Sequence, residues 1–450
     1  TVFSLGTSTG VNASGGTYIA YLFAHDAGGF GLTGADNVIS CGSVSATGGT
    51  LAEVNLGWEP QWLLIKGSSI TNGWSIIDNM RGFTANKGVS WLQPNTSAAE
   101  VASPSTPSLY LTSTGFKVES NESPLNGTGT YIYIAIRRGP MAVPTLGTTV
   151  FAPVAYAGAG AGTTYTTNFP VDMTLVKSRT TVTQTEAWDK LRGSSQYLLT
   201  DVTDADAGYG SAQWLSDRMA SIKWNGGDGY SNSSGANFVT WNFKRSPTAF
   251  DVCAYIGTGS NTTITHNLGA IPELIIVKRR DTTGAWDSYC SALANTEYIV
   301  LNTTAAKATG ATRWNSTTPT SSVFSVGTST TTNASAGTYV AYLFSTCVGV
   351  TKVGSYTGNG TTQTINCGFG AGGARFVLIK RTDSTGDWYV YDTARGMTVL
   401  TDPYLLLNTQ AAEVATLGSV TTVSTGFALN STILAAINVN AGTYIFLAIA

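Results

Sequence analysis

The chain has 450 residues, with 24 basic and 26 acidic side chains, and only 11% of its residues are charged. An ordinary globular domain carries about 25%. The two signs are mixed along the chain, which leaves no electrostatic footprint for nucleic acid or for a membrane surface, and a 10% aromatic content at a net charge of −2 excludes ordinary disorder. What remains is a chain rich in Thr, Ser, Asn and Gly, suited to short strands of Val, Ile, Thr and Tyr joined by tight turns.

Taken in chain order, the first element is a closing hairpin, Val2–Phe23, reading VFSLGTSTGVNASGGTYIAYLF. A Thr-rich hairpin follows, GSVSATGGTLAEVNLGW, and then a strand ending in lysine, Leu63–Lys66. A tryptophan segment opens at Trp74 (WSIIDNMRG), a strand WLQPNT comes next, and a second closing hairpin spans Gly115–Ile136. The same order then recurs. The second copy has AYAGAGAGTTYTTNF, Thr174–Lys177, WDKLRG from Trp188, YLLTD, and an eroded closing strand at Gly235–Arg245. The third has AYIGTGSNTTITHNLG, Ile275–Lys278, WDSY from Trp286, YIVLNT and the hairpin Val323–Phe344. The fourth has GSYTGNGTTQTINCGF, Val377–Lys380, WYVYDTARG from Trp388, YLLLNT and Gly426–Ile449.

Val2–Phe23 and Val323–Phe344 align without a gap and agree at 17 of 22 positions. Self-similarity at a spacing of about 100 residues marks a repeat of small β-sandwich size. The fold expected is all-β: a linear tandem array of about four β-sandwich-like units, of jelly-roll or Ig-like size, beginning inside an upstream unit. The divisions fall at 1–25, 26–139, 140–249, 250–345 and 346–450, with short linkers near 25–27, 139–145, 246–250 and 345–349. The last unit has its own closing strand, which argues against a ring closed by the N-terminal strand. Stability would be a sum of unit and neighbour terms. Asn and Gly in the closing turns (NASGG, NGTG, NASAG, NAG) supply the positive φ that tight hairpins need. Short helical turns near Ala98–Ala102 and Ala411–Ala415 also fit the composition. The chain opens on Thr1, without a signal peptide's charged start and apolar core, and has no apolar run of transmembrane length.

Five cysteines without a CxxC pair imply reduced, partly buried thiols rather than a disulfide scaffold or zinc site. Cys347 and Cys367 flank one hairpin and would pair only with Cα atoms within about 7 Å. Two histidines, His25 and His266, are too few and too far apart for a metal cluster, and no nucleophile elbow is present; no cofactor, no metal and no enzymatic activity are expected. One polar set recurs, Asp78, Arg81 and Glu100 after Lys66, and Asp392, Arg395 and Glu413 after Lys380. Paired carboxylates suit glycosidase chemistry at about 5–9 Å. An arginine between them holds both ionised and so removes the acid catalyst; the set reads as a structural ion-pair network. Trp58, Trp62, Trp91, Trp214, Trp224 and Trp314 stand outside the recurring tryptophan position. Tyr209, Trp214, Trp224 and Tyr230 lie in the second unit's divergent loop, where a variable loop on a rigid scaffold could stack on a sugar.

The pattern LIK…D..RG…NT.AAEV…TGF.L…N..GTYI..A resembles repeat units of tail-fibre and other virion structural proteins of marine bacteriophages, an uncharacterised β-rich repeat family. The resemblance covers nearly the whole chain and is strongest at 51–139 and 347–450. It implies a virion appendage, assembled in the host cytoplasm and exposed on the particle, that spans distance and binds a host surface. Expected partners are other virion proteins, a homo-oligomer (a trimer, as in such fibres) and a host-surface glycan, with neither nucleic acid nor membrane. Alternative roles are a capsid-surface decoration, a polysaccharide depolymerase or a bacterial surface adhesin.

Overall fold

The computed structural model describes the chain except residues 1, 32, 49, 86–88, 102–108, 120–124, 126, 140, 161, 210–212, 216–217, 227–228, 398–401, 417 and 431–433. The fold is almost entirely β, in separate antiparallel sheets; the only α-helices among the described residues are Thr9–Asn12, Ala311–Trp314 and Thr330–Asn333. Residues 98–101 and 411–415 contain no helical turn, and Ala102 lies outside the described residues.

Each repeat builds a main sheet with one strand order. An opening strand (Ile39–Ala46, Phe151–Ala157, Phe250–Ile256 or Thr351–Thr357) pairs with the closing strand (Gly129–Arg137, Asn237–Phe243, Thr338–Phe344 or Thr443–Ile449). The closing strand pairs with the lysine strand (Pro60–Gly67, Met173–Ser178, Leu274–Arg279 or Phe376–Arg381). That strand in turn pairs with the tryptophan strand (Ser75–Asp78, Glu186–Asp189, Trp286–Cys290 or Trp388–Asp392). A small second sheet covers one face, for example Gln363–Asn366, Gly426–Leu429 and Val420–Val423 in unit 4. Between the two sheets lie Val377, Ile379, Tyr391, Phe427 and Phe446, all buried.

The closing turn follows from its sequence. Tyr339 donates its phenol O–H to the Thr330 carbonyl and accepts the Ala334 N–H, and Tyr444 does the same with Ala436 and Val439. The positive φ falls on Gly15, Gly235, Ala336 and Ala441 rather than on asparagine, three residues past Asn12, Asn232 and Asn333 and one past Asn440. The asparagine braces the turn instead: Asn333 donates to the Ser260 and Gly327 carbonyls and accepts the Thr258 N–H.

In units 2, 3 and 4 the lysine strand is buried on both faces, so it reads as a continuous apolar run rather than an alternating one. Its second face looks away from its own unit. Met173, Leu175 and Phe243 of unit 2, Ile276, Tyr342 and Phe344 of unit 3, and Phe376, Leu378 and Leu447 of unit 4 meet around one closed apolar void of about 30 Å³. The ring of Phe243 lies 5.8 Å from Phe344 and 6.2 Å from Phe376. Two sets of backbone hydrogen bonds run round this centre in cyclic order. Glu413 N donates to Arg179 O (2.9 Å), Asp206 N to Arg280 O (2.8 Å) and Lys307 N to Thr382 O (2.9 Å). Likewise Thr183 N donates to Gln410 O (3.0 Å), Gly284 N to Thr203 O (2.7 Å) and Gly386 N to Thr304 O (2.9 Å). Units 2, 3 and 4 therefore pack side by side, 4 on 2, 2 on 3 and 3 on 4, as a pseudo-threefold ring within one polypeptide.

The register also shifts one expected equivalence. Trp286 and Trp388 stand opposite Lys278 and Lys380, whereas Trp188 stands opposite Thr174, where unit 4 has Tyr391 opposite Val377. Trp188 thus belongs to its own unit's core and is not the recurring tryptophan. All five cysteines are free thiols, Cys347 and Cys367 included.

Candidate functional site

The titratable side chains that recur with the repeat gather at the three seams of the ring. At the seam of units 4 and 2, Asp392 ends the tryptophan strand and accepts the Arg395 N–H at 3.0 Å, which fixes the turn that brings the Arg395 Nε to 2.6 Å from it. Arg395 also donates to the Val390 carbonyl (2.9 Å) and to Glu413 (3.3 Å). Unit 2 completes the set. Trp241 donates its indole N–H to Asp392 at 2.8 Å, and Arg179 grips Glu413 with two bonds of 2.9 and 2.8 Å. The hydrogen bond that Arg179 donates to Glu413 is the main cause that raises the Arg179 pKa above the usual arginine value.

The seam of units 2 and 3 repeats this geometry with different letters. Arg192 sits 2.6 Å from Asp189, donates to the Ala187 carbonyl (2.7 Å) and reaches Asp206 (3.2 Å). Tyr342 of unit 3 donates its phenol to Asp189 at 2.7 Å, and Arg280 of unit 3 bonds Asp206 at 2.8 Å. Burial works against the Arg192 charge, but Asp189, Tyr342 and Asp206 outweigh it and hold its pKa above the ordinary value. Such a buried pair tolerates the loss of neither partner, since the survivor is left as an uncompensated charge.

The third seam, units 3 and 4, carries none of these charges. Cys290 takes the aspartate position, opposite Leu274 as Asp392 is opposite Phe376; the arginine and acid positions hold Leu293 and Lys307. Facing them, unit 4 has Leu447 where units 2 and 3 have Trp241 and Tyr342, and Thr382 where they have Arg179 and Arg280. Burial pushes the Cys290 thiol up to about 12, so it stays protonated and packs as an apolar group. Five positions on two units switch together.

Each ring unit also contributes a buried lysine. Lys278 donates to the Thr203 carbonyl across the seam and to Gly284 within its unit, both at 2.9 Å; Lys177 and Lys380 reach Thr409 and Thr304 in the same manner. Desolvation pushes all three ammonium groups down to about 8. A separate charged knot ties unit 1 to the ring: Arg245 bonds Glu59 with 2.7 and 2.6 Å contacts and Asp251 at 2.7 Å, with Arg138 also 3.5 Å from Glu59. Burial raises the Asp251 pKa, but Arg245 and Arg138 more than reverse this, and it stands below the carboxylate range.

Of the residues singled out in the sequence, Asp78 lies 2.6 Å from Arg81, which is 3.7 Å from Glu100. Asp392, Arg395 and Glu413 come together as described above. The third set, Asp189, Arg192 and Asp206, escaped the sequence reading because Trp188 masked the register and the acid is Asp rather than Glu. The aromatic loop of unit 2 is not a sugar platform: Trp214 and Trp224 are 0% and 1% exposed and pack on Trp188. Tyr209 stacks on Trp188 and donates to Glu186 at 3.0 Å, while Tyr230 is half-buried. Trp58, Trp91 and Trp314 are core residues too, and of the six off-position tryptophans only Trp62 is half-exposed to solvent. His266 is buried, with Nε2 3.2 Å from the Thr320 carbonyl, and desolvation lowers its pKa. No group of three or more His, Cys, Asp or Glu placed to hold a metal occurs among the described residues.

The chain is thus a β-rich protein of repeated sandwich-like units in which recurring charges join neighbouring units. The chain belongs to the family of a domain of unknown function, DUF7483, whose model matches residues 1–140 and 147–450. The second stretch coincides with the three-unit ring. No curated protein matches the chain.

Proposed function

We propose that the protein is a structural component of a bacteriophage virion, a tail fibre or adhesive appendage that extends from the particle and contacts the host surface without catalysing a reaction. The observation that carries this reading is the closed three-unit ring, which gives one polypeptide a rigid threefold cross-section. Seams made of buried, geometrically matched ion pairs favour register and stiffness over chemistry, and the Asp, Arg and acid sets at the two charged seams of the ring bond each other and the neighbouring unit. The low charge and Thr-rich surface suit a spacer exposed outside a cell. The resemblance of the repeat to virion appendage proteins points the same way, and assembly with other virion proteins is part of the same reading.

The test is a cryo-EM map of the intact particle in which this chain is placed. Density in a tail-attached, threefold appendage is the expected result. Density spread over the capsid, or cleavage of host polysaccharide by the purified chain, overturns it in favour of a decoration or a depolymerase.

A further inference from the structure

Unit 1 carries the same two-faced strands as the ring units, yet its second face has no partner among the described residues. On its lysine strand Leu63 and Ile65 are fully buried, while Trp62, Leu64 and Lys66 between them are only half-buried. On the closing strand, Ile132 is 40% exposed and Ile134 half-exposed. Their twins by register, Leu378 opposite Leu447 in unit 4 and Leu64 opposite Ile134 in unit 1, differ only in having the ring or lacking it. The seam residues are present as well: Asp78 stands opposite Trp62 as Asp392 stands opposite Phe376. Arg81 makes its 2.6 Å pair with Asp78, but its buried Nη1 has no hydrogen-bond partner among the described residues.

A second observation is independent of that face. Residues 9–18 keep the local structure of the turn in the unit 3 closing hairpin: helix Thr9–Asn12 matches Thr330–Asn333, and Tyr18 bonds Thr9 O and Ala13 N as Tyr339 bonds Thr330 O and Ala334 N. The segment that follows, which pairs with no strand among the described residues, is bare. Tyr21 and Leu22 are 81% and 75% exposed, against 1% and 0% for their twins Tyr342 and Leu343.

We propose that residues 1–140 are the closing hairpin of the second member and the whole third member of another three-unit ring. The occupants of the exposed faces are then two β units of this same repeat, placed around unit 1 as units 2 and 3 are placed around unit 4. The seam code selects these occupants. In both charged seams an Asp–Arg–acid set faces an Arg and an aromatic donor, Arg179 with Trp241 or Arg280 with Tyr342. Unit 1 has the set Asp78, Arg81 and Glu100, so its neighbour on that side is a unit like unit 2. Its own facing positions are Ser68 and Ile134, matching Thr382 and Leu447 of unit 4, so its other neighbour is like unit 3, the unit whose closing hairpin already stands at residues 1–24. Three copies of unit 1 alone would set Asp78 against Ile134 and Glu100 against Ser68, neither of which supplies the missing donor or charge.

The experiment compares the 450-residue chain with a version in which a second copy of residues 147–322 is fused before Thr1, followed by hydrogen exchange and sedimentation. The expected result is a monomer in both cases, with amides of residues 17–23 and 130–136 exchanging about a hundredfold more slowly in the extended chain. Asp78→Asn then speeds exchange at residues 75–78 about tenfold in the extended chain and changes it less than about twofold in the original. Unchanged exchange at 17–23 and 130–136, with the added units themselves protected, overturns the proposal. So does a stable trimer of the original chain with those segments protected, which would make the occupant a second copy.

Discussion

Units 1 and 4 share strand order, register and seam residues, but they bury them differently. In unit 4 every residue from Phe376 to Lys380 is buried, whereas in unit 1 burial alternates along the same strand. Each unit's own two sheets account for one face only. The other face acquires a dry environment solely from neighbours, and the charged groups on it change character with that environment. Asp392 and Arg395 have 0% side-chain exposure, while Asp78 and Arg81 have 22% and 19%. Chemically identical pairs thus become a buried lock in one place and a partly solvated contact in the other.

Breaking the lock should give the largest contrast. Asp392→Asn takes from the buried Arg395 guanidinium the nearer of its two carboxylates, leaving only Glu413, which Arg179 shares, and should cost about 3–5 kcal/mol. Asp78→Asn should cost at most about 1 kcal/mol, because water reaches the pair. Urea titrations followed by exchange at each unit separate the two, and equal losses would show that the ring does not set the environment. Truncating the apolar face comes next. Leu378→Ala opens a cavity at the ring centre and should cost about 2–5 kcal/mol, and Leu64→Ala markedly less, read from the same titrations.

A pH series sharpens the comparison further. Lys380 has a folded pKa of about 8 against 10.5 for the free side chain. Between those values the unfolded chain binds the extra proton, so this lysine's contribution to stability rises with pH. Relative to Lys380→Met, the native chain should therefore gain on the order of 1–3 kcal/mol from pH 8 to 10.5. Lys66→Met in unit 1 serves as the half-buried reference. A stability difference independent of pH would sink the assignment. The smallest effect is local: Ala441→Gly relieves a positive φ of 62° and should raise the thermal midpoint of unit 4, with a gain of about 0.5–1 kcal/mol. The same change at Ala334, which lies outside the positive-φ position, should not.

Much of this architecture is legible in the residues. The Thr-Tyr hairpins give the closing strands, because the tyrosine phenol and the small turn residues act within a few positions of each other. The Asn of the NT motifs is equally local in its logic: Asn408 accepts the Trp388 N–H at 2.9 Å and Asn302 accepts that of Trp286 at 3.0 Å. Trp188 misleads for the opposite reason, since a tryptophan suits either face of a strand buried on both sides and only the pairing register decides which. Trp214 and Trp224 mislead as a loop pair because their strands fold back over the unit's own core.

The sequence by itself determined the repeat, the succession of strands along the chain and two of the recurring Asp–Arg–Glu sets, since turn chemistry and hydrophobic runs act over a few neighbouring positions. Only the tertiary structure decided that three units close on one another and that Arg179, Trp241, Asp392, Arg395 and Glu413 form a single network. These five residues are spread over two repeats. Their meeting depends on lateral packing of whole sheets around a shared apolar centre, which no local pattern encodes.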